Sequence, residues 1–330
     1  MRAVVLEEYG PPDVLTLADV PEPQAGPDEI VVDVVVTALN RADLLQRRGF
    51  YPGPKMDHEI PGMEFAGRVA SIGSSVTAWS EGDEVMGIVG GGAYAQQLVI
   101  HERQALPTPA SVALADAAAI PEVFLTAFDA LVVQGGLTSG RWALVHAGAS
   151  GVGTAAIQIA KAIGARIAVT ASAGKLERCR ELGADVAIDY GSQRFVDVVA
   201  EATGGGGVDV VLDVIGGEYT IDNIKSLRVG GRLIQVGVMG DQTVELPLGM
   251  LLPKRASIIG TVLRARPVEE KIALTQRCRA ELLPLFDTGP SGHPALRPVI
   301  DSRFALEDIA DAHRYMESNA NVGKILIDVV

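Results

Sequence analysis

The residues of this chain with the clearest chemical use are small ones: Val145-His146-Ala147-Gly148-Ala149-Ser150-Gly151-Val152-Gly153, set where a short apolar run gives way to a helical pattern. A backbone that turns tightly and lets a pyrophosphate come close cannot carry bulky side chains there. A helix N-terminus adds unpaired N–H groups and a positive dipole end. Ser150, Gly151, Val152 and Gly153 are therefore the expected pyrophosphate contacts, with the Ser150 hydroxyl as an extra donor. A glycine-rich turn alone says little. Here a strand precedes it, a helix follows, and further βα units come after, which is the context a dinucleotide needs.

About 20 residues beyond the glycines, folds that prefer NADH place a carboxylate on the adenosine ribose. This chain has Thr170-Ala171-Ser172-Ala173-Gly174-Lys175 instead. That stretch holds no carboxylate to repel a phosphate, and Ser172 and Lys175 can bond one, so NADPH is expected over NADH. Tyr190, just past the third strand, is suited to stack on or bond the adenosine half. Ligands of parallel sheets lie outside the carboxyl ends of the strands. Ile215, within Asp213-Val214-Ile215-Gly216-Gly217 after the fourth strand, and Val236-Gly237 after the fifth are thus expected on the nicotinamide side. Asp213 itself reads as an acceptor for turn N–H groups rather than a catalytic group. Arg264 follows the sixth strand and reaches coenzyme or substrate, or else lies on the surface.

Those residues need a doubly wound α/β frame. From about Pro121, strands alternate with amphipathic helices, the mark of βαβ units and a parallel sheet. The predicted strands are 143–146, 166–170, 186–188, 208–213, 232–236 and 257–262, the number a dinucleotide fold requires. Ala156, Ile157, Ala160 and Ile163 give the helix after the glycine turn one apolar face, and Gly164 stops it. Before Pro121 the pattern is β-rich: Ile30–Val36 is a β-branched run, and 62–72 and 84–89 read as strands between Gly/Pro turns. After Arg264 the sequence predicts a helix over 268–283, a Pro/Gly-rich connection over 284–294, a short strand over 297–300, a helix over 306–316 and a closing strand over 324–329.

A length of 330 residues suits two domains. With a net charge of -13 and scattered basic residues, the chain repels phosphate backbones, so neither nucleic acid nor an anionic membrane surface is an expected partner. Met1 leads into charged residues without an apolar signal region, so a cytoplasmic address is expected. The uncharged stretch Trp142–Ala160 is broken by His146 and glycines, and no transmembrane span is expected. Cys179 and Cys278 lack CxxC spacing and read as free thiols. The five histidines, His58, His101, His146, His293 and His313, are dispersed; each reads as structural or surface, and no metal site is expected.

Several segments together resemble the quinone oxidoreductase branch of the medium-chain dehydrogenase/reductase superfamily: Ala38-Leu39-Asn40-Arg41-Ala42-Asp43, Gly62-Met63-Glu64, Ala117–Glu122 with Leu125-Thr126-Ala127, the Ala147–Gly153 turn, and Val322-Gly323-Lys324-Ile325. Within it, Asn40 through Arg47, the Ser150-Gly151 turn and Asn321–Lys324 look most like the p53-inducible quinone oxidoreductase subgroup. The resemblance implies a GroES-like β-rich catalytic domain over 1–120, completed by 290–330, and a Rossmann NADPH-binding domain over 121–289, with the active-site cleft where they meet. It further implies Asn40 and Thr126 beside the nicotinamide, Tyr51 in the acceptor pocket, Asn321 among the coenzyme contacts, and a homodimer formed by pairing the edge strand 257–262. An unpaired apolar edge gives that last expectation a physical basis. One departure is Ser150, which stands where the branch commonly has the middle glycine of its turn.

Zinc alcohol dehydrogenases of the same superfamily have Cys at the position of Asn40 and His at that of Met63. Without a Lewis acid, the acceptor must already be electrophilic, its developing oxyanion met by hydrogen-bond donors or water. Quinones and α,β-unsaturated carbonyls qualify. The expected activity is therefore zinc-independent, NADPH-dependent hydride transfer to a quinone, with Tyr51 a donor to the reduced oxygen or else an aromatic plug. The alternatives are an enoyl or 2-alkenal reductase and, from a different class, a nucleotide-binding structural or RNA-binding protein. Glu64 reads as a structural acceptor for a neighbouring turn.

Overall fold

The computed structural model describes residues 1–51, 53–54, 57–289, 291–293 and 295–329. Pro52 of the Tyr51–Pro54 turn, and Pro290 and Pro294 of the expected connection, lie outside them. The chain forms two compact units, Met1–Glu122 with Arg264–Val330, and Val123–Leu263.

In chain order the first unit begins with β1 (Arg2–Leu6) and β2 (Leu15–Asp19), an antiparallel hairpin, then β3 (Glu29–Leu39), β4 (Glu64–Ile72), β5 (Glu84–Ile88), β6 (Gln97–His101) and β7 (Ala105–Pro107). The second unit holds β8 (Trp142–Val145), β9 (Arg166–Ala171), β10 (Val186–Asp189), β11 (Val208–Asp213), β12 (Leu227–Gln235) and β13 (Ser257–Gly260). The chain then returns to the first unit as β14 (Ile300–Ala305) and β15 (Lys324–Asp328).

The first unit is a GroES-like sheet ordered β14-β15-β3-β4-β5-β7, with β6 also on β3. Its axis is β3, whose valine-rich run is buried almost throughout because neighbours cover both faces. Strand β3 bonds β6 along Glu29–Asp33 and β15 along Val36–Leu39, while β4 runs along its other side. The antiparallel register Ile325↔Leu39 sets the start of β15 beside Asn40. Helix Val268–Glu281, expected with the parallel sheet, packs within the first unit instead: Gln276 donates to the Arg103 carbonyl (2.6 Å) and the Arg279 guanidinium lies over the Trp79 ring. The strand expected over 297–300 begins only at Ile300, because Pro298 has no N–H to give a ladder.

The second unit is a six-stranded sheet ordered β10-β9-β8-β11-β12-β13, with every pairing parallel. In order of appearance this is 3-2-1-4-5-6, the doubly wound dinucleotide topology. Helix Gly151–Ala162 buries Ala155, Ala156, Ile159 and Ala160. Strand β13 lies at the sheet edge, with Ile258 40% exposed. Cys179 and Cys278 are buried free thiols, pushed up by burial to about 11 and about 12. Among the described residues no helix is long and apolar enough to cross a membrane.

His313 is fully buried in the first unit, edge-on to Tyr94, and among the described residues neither ring nitrogen has a hydrogen-bond partner. Burial, then the charges of Arg47 and Arg48, lower it to about 3. Below about pH 6.5 the unfolded chain protonates this ring while the folded chain does not, so stability present above that pH is lost as pH falls toward 3. His313→Leu should lose less urea resistance than the parent on going from pH 7 to pH 5, by about 2 kcal/mol. The same loss in both proteins would contradict a neutral buried ring.

Candidate functional site

Each unit builds a polar constellation of its own. In the second, β8 ends at Val145 and the chain turns at Ala147, whose φ of +56° is left-handed, before the helix begins at Gly151. Gly148 donates to the Thr170 carbonyl (2.8 Å), tying the turn to β9, and a Cβ on Gly148 would lie 2.6 Å from that of Val169. A Cβ on Gly153 would meet the Ala147 carbonyl oxygen at 2.4 Å, so glycine is what lets the first helical turn close onto the loop. Ser150 is the helix N-cap: its Oγ accepts from the Gly153 N–H (3.1 Å). The hydroxyl expected as a donor is thus already an acceptor within the turn, with its own proton left to give. The first i→i−4 bond runs from Thr154 to the Ser150 carbonyl, so the amides of Gly151 and Val152 precede the helical ladder and are the donors a bound anion would meet.

Beneath the turn runs a buried chain of hydrogen bonds. Asn223 gives its Nδ2 to Asp213 Oδ2 (3.0 Å), so its Oδ1 accepts from His146 Nε2 (2.7 Å). His146 Nδ1 then accepts from the Thr170 hydroxyl (3.0 Å). Burial lowers the His146 pKa, in keeping with a neutral ring fixed in one tautomer. Asp213 Oδ1 accepts from Ile215 N (2.6 Å) and Gly216 N (3.2 Å), the structural part expected of it. Sequence spacing gave no sign of His146 in this role. The expected contacts Ser172, Lys175, Tyr190, Ile215, Val236 and Gly237 all follow the carboxyl ends of β9, β10, β11 and β12, on the same edge of the sheet as the glycine turn. Asp189, beside Ala171, is turned into its own loop, accepting from Gly191 N (3.0 Å) and Ser192 Oγ (2.7 Å). Thr126, in helix Pro121–Phe128, is 7% exposed, and its Oγ1 is buried with no hydrogen-bond partner among the described residues. A turn closed by glycine, two amides outside the ladder and an unspent buried hydroxyl fit a bound dinucleotide.

In the first unit, Lys324 opens β15 and is 3% exposed. Its Nζ lies 2.7 Å from Glu64 Oε1, 2.6 Å from Asn40 Oδ1 and 2.9 Å from the Leu39 carbonyl oxygen. Glu64, fully buried at the start of β4, also accepts from Asn40 Nδ2 (2.8 Å) and from the Glu122 amide (2.8 Å), a structural acceptor as expected. Asp43 accepts from Asn40 N (2.8 Å) and the Tyr94 hydroxyl (3.0 Å), and burial raises its carboxyl to about 6. A lysine and a glutamate at the starts of two apolar strands are the signal that sequence offered for this pair.

Zinc does not fit here. The oxygens of Glu64, Asn40 and Leu39 already surround an ammonium group, and Met63 is a buried apolar neighbour in sequence. Among the described residues no group of three His, Cys, Asp or Glu is placed to hold a metal ion.

Tyr51 is half-buried, its phenol pKa raised by that burial. Arg264, expected at the coenzyme or substrate, spends its nitrogens inside the first unit: Nε on the Gly90 carbonyl (2.6 Å), Nη1 on that of Tyr51 (3.2 Å) and Nη2 on Gln46 Oε1 (2.7 Å). Its guanidinium lies 4.8 Å from the Tyr51 ring centroid, so its evident task is to hold the Tyr51 loop. Asn321 donates to the Gly323 carbonyl (3.0 Å), inside the turn that leads to Lys324.

The family model described as "Alcohol dehydrogenase GroES-like domain" matches residues 26–110, and that described as "Zinc-binding dehydrogenase" matches 151–277. The chain is 30% identical over 331 residues to quinone oxidoreductase-like protein 2 of Mus musculus, covering 99% of this chain and 92% of that protein. A quinone oxidoreductase of Pseudomonas syringae pv. Tomato DC3000 superposes with a TM-score of 0.88 at 29% identity, over 99% of each chain. The JamJ enoyl reductase in its apo form superposes with a TM-score of 0.87 at 26% identity, over 99% of this chain and 98% of that one.

Removing one member of a buried ion pair leaves the other charge uncompensated, which costs about 3–5 kcal/mol. Lys324→Met should show a loss of that size in urea unfolding, and adding Glu64→Gln should recover at least half of it. A single variant as stable as the parent would contradict the pairing.

Proposed function

The chain belongs to the medium-chain dehydrogenase/reductase superfamily, and from that membership we propose that it is an NADPH-dependent reductase of quinones that works without zinc. Proteins of this family are oxidoreductases that use a nicotinamide coenzyme. The observation that carries the finer proposal is the end of β9, where Ser172 and Lys175 follow the strand and no carboxylate stands among residues 170–175. Asp189, the nearest acidic neighbour in the sheet, has both oxygens engaged in its own turn. That environment favours a ribose carrying a phosphate.

The bound coenzyme supplies a hydride from its reduced ring. The chain's own contribution is holding and orienting. The amides of Gly151 and Val152 take the pyrophosphate, Gly153 lets the backbone come close, and Ser150 holds the turn with a proton to spare. Ile215, Val236 and Gly237 line the nicotinamide half, with Tyr190 at the adenosine. Thr126, with its unspent buried hydroxyl, is the expected partner of the nicotinamide carboxamide or ribose. Asn40 and Asn321 flank the coenzyme as family positions, and Arg264 acts on the site through Tyr51. Tyr51, kept as a phenol by its raised pKa, donates to the acceptor oxygen. The likeness to quinone oxidoreductases supports quinone as acceptor. A second proposal, reduction of a conjugated enone, is favoured by the likeness to the JamJ enoyl reductase. The exposed apolar edge of β13 supports a homodimer paired along 257–262.

Parallel titration with NADPH and NADH, followed by tryptophan fluorescence, should show NADPH binding about 10- to 100-fold tighter, the effect of a charge-assisted hydrogen bond. Lys175→Glu should abolish that preference, and equal affinities in the parent would contradict it. In an acceptor panel with NADPH, quinones should turn over faster than enones. The reverse order would establish the second proposal.

A further inference from the structure

Three carboxyl groups gather around Lys324 in the first unit: Asp43, Glu64 and Glu122. Two of them are enclosed. Glu64 is fully buried and pairs with the ammonium, and Asp43 is fully buried, its Oδ2 bonded to Asn40 N and the Tyr94 hydroxyl and its Oδ1 without a partner among the described residues. Glu122 differs on both counts. It is partly exposed, and among the described residues its carboxyl makes no hydrogen bond, although its amide lies 2.8 Å from Glu64 Oε2. The cations facing the group are Lys324 and Arg264, and Arg264 is also committed to the Tyr51 loop. Three acids against two bases leave one carboxyl in excess, and in a weakly polar surrounding the excess charge is removed by holding a proton.

We propose that Glu122 is the acid that protonates the reduced acceptor. This rests on the reductase activity proposed above and adds a residue to it. The acceptor receives an electron pair and one hydrogen as hydride, leaving an anionic oxygen, or an enolate in the enone case. The Glu122 O–H bond then breaks and an O–H bond, or the enolate's C–H bond, forms on the acceptor. The carboxylate left behind takes a proton from water, which its partial exposure permits. Nothing besides hydride donor, acceptor and water is consumed. Asp43 and Glu64 cannot take this part because both are enclosed.

The groups that set the charge on Glu122 agree with its role. Burial, the leading cause, together with Glu64 and Asp43 raises it to about 8, against the opposing pull of Lys324 and Arg264. Tyr51 and Tyr94, the phenols of the same cluster, are themselves held neutral by raised pKa values. The acid is therefore loaded at neutral pH and empties above about 8.

The test uses Glu122→Gln, an isostere of the protonated acid that keeps the fold, and Glu122→Asp as the conservative variant. In the coenzyme-free protein, the infrared carbonyl stretch of a protonated carboxyl should persist at neutral pH, bleach as pH rises past about 8, and be missing from Glu122→Gln. With NADPH and a quinone, kcat of the parent should fall above the same pH. Glu122→Gln should be slower by about 10²-fold at pH 7 with that alkaline limb gone and coenzyme affinity unchanged, while Glu122→Asp should restore the limb. Turnover by the parent alongside a Glu122→Gln variant of equal rate and unchanged pH profile would overturn the proton-donor role alone. No turnover by the parent with any quinone or enone would overturn the reductase proposal, and the donor role with it.

Discussion

A buried ammonium governs the chemistry of the first unit. Lys324 arrives on the closing strand, and its charge is held against Glu64, Asn40 and the Leu39 carbonyl with almost no contact with water. Two charges leave water only when they are paired and their remaining hydrogen bonds are met; Asn40 and the Glu122 amide meet those of Glu64. The cluster thus already holds an ammonium paired with a carboxylate, and a divalent ion would have to displace it. In the proposed reaction, an acceptor reduced without a metal must be electrophilic already, and its negative charge must be met by donors or by a proton. One lysine thereby joins the pairing of β15 on β3 to the class of substrate proposed.

The second unit solves a separate problem, keeping a turn of small residues rigid. The directional chain from Thr170 through His146 and Asn223 to Asp213 locks the ends of β8, β9 and β11 together under the loop. Every member has its donor and acceptor assigned, so the turn is held before any ligand arrives. His146 is consumed by this work, which removes it as an acid or base in the reaction. Such preorganisation lets a bound dinucleotide be oriented without first ordering its site.

Most of the frame was legible from apolar periodicity and turn residues. Strand β11 begins and ends where its Val/Leu run predicts, and helix Gly151–Ala162 follows its apolar face. Strand β12 starts at Leu227, ahead of the expected 232, because Gly230 and Gly231 hide its beginning. Helix Arg41–Arg47 went unseen because seven residues are too few to show a period. The candidate coenzyme residues were named from their types at strand ends, and the parallel topology brings those ends to one edge of the sheet. The first unit's cluster was not legible in the same way. Asn40, Glu64, Glu122 and Lys324 are far apart in sequence, and their union depends on the strand register Ile325↔Leu39. Arg264 shows the converse: its place after the sixth strand suggested the coenzyme, yet its bonds go to Gly90, Tyr51 and Gln46.

The proposed reaction is hydride transfer from a nicotinamide coenzyme without zinc, in a chain whose first unit holds an ammonium paired with Glu64. It is tested most directly by measuring NADPH-dependent quinone reduction in protein whose zinc content has been determined by mass spectrometry before and after exhaustive chelation. Turnover that is unchanged at far below one zinc per chain is the predicted result. Activity that disappears with chelation and returns in proportion to added zinc would contradict the account.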